Sequence, residues 1–69
     1  MGRPSLRDVR RKELVTAFSR VLARHGYASA TIQAIALEAG VAPGLVHHHF
    51  DGKDELSRAL FDELVERFR

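Results

Sequence analysis

The chain has 69 residues, enough for one small domain, and no cysteine, which excludes disulfides, thiolate metal sites and thiol redox chemistry. Its apolar runs are far shorter than the roughly 20 residues a membrane-crossing helix needs, so no membrane partner is expected and a cytoplasmic location is. The net charge is only +2, but residues 1 to 24 hold seven basic groups (Arg3, Arg7, Arg10, Arg11, Lys12, Arg20, Arg24) against two acids, whereas residues 51 to 69 hold four against six. Such an asymmetric end suits either a polyanion such as DNA or a merely solvated, arginine-rich helix face.

In chain order, residues 1–5 read as a basic arm, because Pro4 holds its predecessor extended. Ser5, with Asp8 three positions on, marks a helix start near Leu6. Leu14, Ala17, Phe18, Val21 and Leu22 recur at three- and four-residue steps and form one buried stripe, which ends at His25-Gly26. Tyr27 is expected in the core. Thr31 is a good N-cap for a second helix whose buried face is Ile32, Ile35, Ala36 and Ala39. Gly40-Val41-Ala42-Pro43 then leaves four residues for the connection, and so short a turn forces two helices to cross steeply.

The third helix is expected from about Pro43 to Phe50. Val46 and Phe50 face the core, Leu45 and His49 sit near its edge, and Pro43, Gly44, His47 and His48 share the opposite face. A fourth helix starts at Gly52, with Glu55 in its first turn. Leu56, Ala59, Leu60 and Leu64 form a stripe able to close the core, while Phe61, Val65 and Phe68 form a second stripe turned away from it. That second stripe leads to the expectation that residues 57–69 are a connecting helix toward a C-terminal domain outside this chain. Helices account for every periodic segment, so the fold class is all-α.

The run His47-His48-His49 invites a metal reading, but neighbours on a helix point about 100° apart, so the three rings diverge and no metal is expected. No nucleophile, base and orienting carboxylate are signalled by spacing, so neither an enzyme nor a cofactor is expected. Recognition fits better. A short helix entering a major groove presents its first turn, where Pro43 and Gly44 permit close approach, Leu45 can touch a thymine methyl, and His47 and His48 can bond phosphate or base edges. Lys53, at the next helix start, suits a phosphate.

The stretch GYASATIQAIALEAGVAPGLVHHHFDGKDEL, residues 26 to 56, resembles the N-terminal DNA-binding domain of the TetR (tetracycline repressor) family. The matching positions are Gly26-Tyr27, Thr31, Ile35-Ala36, Ala39-Gly40-Val41, Gly44, Val46, His49-Phe50, Gly52 and Lys53-Asp54-Glu55-Leu56. The resemblance implies a three-helix bundle with a homeodomain-like helix-turn-helix over residues 6–56, plus the start of a fourth helix. By position it implies a recognition helix using Pro43, Gly44, Leu45, His47 and His48, with Thr31, Gln33 and Lys53 as further DNA contacts and Arg3 and Arg7 as weaker ones from the arm.

The implied whole is a homodimeric transcriptional regulator, a repressor, on a palindromic operator, with a small-molecule effector held by the C-terminal domain. Two departures from the family pattern bear on the site: His47 stands where Tyr is usual, and Ala42 where Ser or Thr is usual, removing a hydroxyl and a helix cap. The competing readings are a helix-turn-helix from a transposase, recombinase or sigma factor, and a helical protein-interaction module built on Phe61, Val65 and Phe68.

Overall fold

In a computed structural model, which describes residues 5 to 69, the chain folds as four helices: α1 (Leu6–His25), α2 (Ile32–Ala39), α3 (Pro43–His49) and α4 (Lys53–Arg67). The boundaries follow from local chemistry. Ser5 Oγ accepts the Asp8 amide at 3.1 Å, and Thr31 Oγ1 accepts the Ala34 amide at the same distance, each satisfying an amide that a helix start leaves free. Gly40 ends α2 in the left-handed region (φ 73°); its N–H bonds the Leu37 carbonyl, and Val41 N–H reaches back to Ala36 at 3.0 Å. That paired closure needs a residue without a Cβ penalty. At α3, Ala42 is the N-cap and offers no side-chain bond, as its missing hydroxyl requires.

α1 packs against α2 and α4, and α2 packs against α3. The expected stripe of α1 is buried at Leu14, Ala17, Phe18 and Val21, with Val15 added, and it meets Ile35 and Ala36 of α2, Val46 and Phe50 around α3, and Leu56 of α4. Each Val, Leu, Ile or Phe side chain so buried contributes about 1.5 to 3 kcal/mol.

Two expectations about burial fail. Tyr27 is not in the core: it is 49% exposed in the connection between α1 and α2, with Lys53 Nζ 4.0 Å from its ring centroid. Leu64 is exposed as well, because the core ends one turn earlier at the half-buried Leu60 and α4 runs on past it. The outward stripe is as expected, with Phe61, Val65 and Phe68 all exposed. At the start of α4, Glu55 Oε2 accepts the Asp51 amide at 3.1 Å, one residue before the Gly52 N-cap.

Candidate nucleic-acid interface

The turn between α2 and α3 sets one face of α3 outward. Pro43, Gly44, His47 and His48 are exposed there, Leu45 is half-buried, and Val46 lies wholly in the core behind them. Gly44 is the informative member. A Cβ built on it would meet no atom of the described residues within 4 Å, and its φ is not positive, so neither their packing nor the backbone geometry calls for glycine. Open space surrounds this position on the outer face of α3.

The three histidines divide as their helix positions dictate. His47 and His48 are exposed, whereas His49 retains 8% of its surface, with its ring edge-on to His48 at 5.0 Å between centroids. His49 Nδ1 is buried, with no hydrogen-bond partner among the described residues. Burial foremost, then the charges of His48, Arg7, Arg11 and Arg10, push the His49 imidazole below its ordinary value toward the neutral form. Among the described residues no three His, Asp or Glu side chains are grouped to hold a metal ion.

The helix-two candidates lie at its start. Thr31 and Gln33 are exposed; the Thr31 oxygen accepts the cap bond, which leaves its hydroxyl proton to donate elsewhere. Lys53 is half-buried, and its ammonium donates to the Tyr27 carbonyl at 2.6 Å. One of its three donors is taken by that carbonyl, and the Tyr27 ring centroid lies 4.0 Å from Nζ. Arg7 is exposed at the start of α1, and Arg3 lies outside the described residues.

The basic excess of α1 is largely engaged within the protein, a division the sequence did not show. Arg24 Nη1 sits 2.6 Å from Glu38 on α2, with Arg20 at 4.0 Å from the same carboxylate, and Arg10 pairs with Glu13. The hydrogen bond from Arg24 is the main cause holding the Glu38 carboxyl below the usual carboxylate range. Arg11 Nη1 donates to the His49 carbonyl at 2.7 Å, and its guanidinium carbon lies 4.3 Å from the Phe50 ring centroid. The sequence pattern alone did not single out Arg11, although it precedes Leu14 and Val15 by three and four positions and so sits at the edge of the buried stripe.

The chain is similar in sequence to known bacterial regulatory proteins. The model of the family described as bacterial regulatory proteins, tetR family, matches residues 14–60. Similar proteins include the HTH-type transcriptional regulator BetI of Brucella anthropi, 40% identical over 94% of this chain and 34% of that protein. BetI of Rhizobium meliloti is 39% identical over the whole chain and 34% of its own length. The chain therefore spans about a third of the length of these curated relatives. No solved structure matches it significantly.

Proposed function

The chain belongs to the tetR family of bacterial regulatory proteins, and from that premise we propose that it binds double-stranded DNA sequence-specifically, with α3 in the major groove. The observation carrying this reading is Gly44: an exposed helical glycine with open space around its missing Cβ, beside exposed Pro43, His47 and His48. In this arrangement Pro43 and Gly44 let the helix approach, Leu45 offers an apolar edge, and His47 and His48 bond phosphate or base edges. Thr31 through its hydroxyl, Lys53 through its ammonium and Arg7 through its guanidinium take phosphates flanking the groove, and Gln33 reaches toward a base. Arg3, on the arm, adds to the attraction through charge alone.

At the relatives' length, the protein is proposed to act as a cytoplasmic repressor at the bacterial nucleoid. Two copies read a palindromic operator whose half-sites lie about one helical turn or a multiple apart. The exposed Phe61, Val65 and Phe68 of α4 then pack on further helices that form the dimer and hold a small-molecule effector. No helix is long and apolar enough to cross a membrane among the described residues.

The test is selection of duplexes from a random-sequence library at low salt, followed by affinity against salt concentration. A sequence should be enriched, and log affinity should fall with log salt at a slope of about −2 to −4 for a few neutralised phosphates. Binding that is absent at low salt, or indifferent to it, refutes the proposal.

A further inference from the structure

We infer that Arg11 on α1 is a positioning residue for the exposed face of α3: by gripping the helix end it fixes the orientation in which Gly44, His47 and His48 are presented. The functional half of this inference rests on the DNA-binding reading above; the structural half rests on geometry alone.

α3 is only seven residues long and begins at Ala42 without a side-chain cap, so it has little stability of its own. Its hold on the core is through Val46 in the helix and Phe50 just beyond its end, both buried, and these two contacts define a line. Apolar contact of this kind is non-directional, and it resists withdrawal of the helix better than rolling about that line. A hydrogen bond to a backbone carbonyl is directional. Arg11 supplies one, from 38 residues away in the chain, to His49, the last residue of α3.

The same guanidinium stacks on the ring of Phe50, the extended residue (φ −139°, ψ 136°) through which the chain leaves the helix. One planar group thus engages two consecutive residues across the point where α3 stops. A lysine has neither the plane nor the fork to make both contacts together. A cation at this end also complements the negative end of the helix. The effect reaches the exposed face by a short route, because the His49 ring is edge-on to the His48 ring.

The test compares Arg11→Gln and Arg11→Lys with the wild type in two readouts. Without DNA, amide hydrogen exchange should rise at least about tenfold at His47, His48, His49 and Phe50, while the α1 and α2 amides keep their protection. With DNA, affinity for a duplex selected by the wild type should fall about tenfold or more in both variants. Affinity for poly(dI-dC) and the salt slope should stay unchanged.

Retention of affinity by Arg11→Lys, with the slope reduced by about one in Arg11→Gln, makes Arg11 a phosphate contact and overturns the inference. Uniform loss of amide protection through all four helices makes it a general stability residue and overturns it too. If the wild type selects no duplex, the DNA reading fails, while the exchange pattern at α3 still decides whether Arg11 sets that helix.

Discussion

Replacing Gly44 by alanine separates what the fold needs from what the surface needs, and the two respond in opposite directions. Glycine inside a helix costs about 0.5 to 1 kcal/mol relative to alanine, through the backbone freedom it loses on folding. At Gly44 nothing among the described residues offsets that cost: the added Cβ meets none of their atoms within 4 Å, and the only positive-φ glycines among them are Gly26 and Gly40. Gly44→Ala should therefore stabilise the protein by about 0.5 to 1 kcal/mol, raising Tm by roughly 2 to 8 °C for a domain of this size. On DNA the same methyl stands between α3 and the groove, and the loss should be about 1.4 to 3 kcal/mol, a factor of ten or more in Kd for the selected duplex. Thermal melting by circular dichroism and fluorescence anisotropy on one preparation measure both. A variant that is more stable and binds its duplex undiminished would show that Gly44 does not face the groove, and the reasoning that places α3 there would fall.

Three other expectations follow from the same geometry. Thr31→Ala should cost about 1 kcal/mol through loss of the cap to Ala34 and should also weaken DNA binding, whereas Thr31→Ser should preserve both; equal behaviour of the two variants would remove Thr31 from the site. Gly40→Ala should lower stability by about 1 to 2 kcal/mol because φ is +73° there, even though its Cβ would meet nothing; an unchanged melting temperature would contradict the left-handed closure of α2. For His49, the folded imidazole is pushed below its ordinary value, so the unfolded chain binds the proton more readily. That contribution to stability is whole above about pH 6.5 and is lost as the pH falls through the folded value, and His49→Gln should flatten the dependence in urea titrations.

The helices were legible in the sequence because their ends are written in neighbouring residues. Ser5 and Thr31 cap amides three residues on, Gly26 and Gly40 supply the positive φ that stops α1 and α2, and the stripe from Leu14 to Val21 needs only the period of the helix. The division of the histidine run was legible for the same reason, since a step of about 100° sends His49 inward whenever Val46 is inward and leaves His47 and His48 outside.

What only the tertiary structure decided is everything that depends on how one helix lies across another. Tyr27 reads in the chain as a core residue, yet its ring lies half in solvent beside Lys53, 26 residues on, and Leu64 keeps the period of a buried face past the point where the core ends. The arginines of α1 look alike in the chain. It is the crossing of α1 with α2 that brings Glu38 to Arg24, and the approach of the end of α3 to α1 that takes Arg11 out of the basic surface and makes it a clamp. Caps and periods act over one helical turn and so can be read locally, whereas a charge finds its partner only when the fold has set the distance.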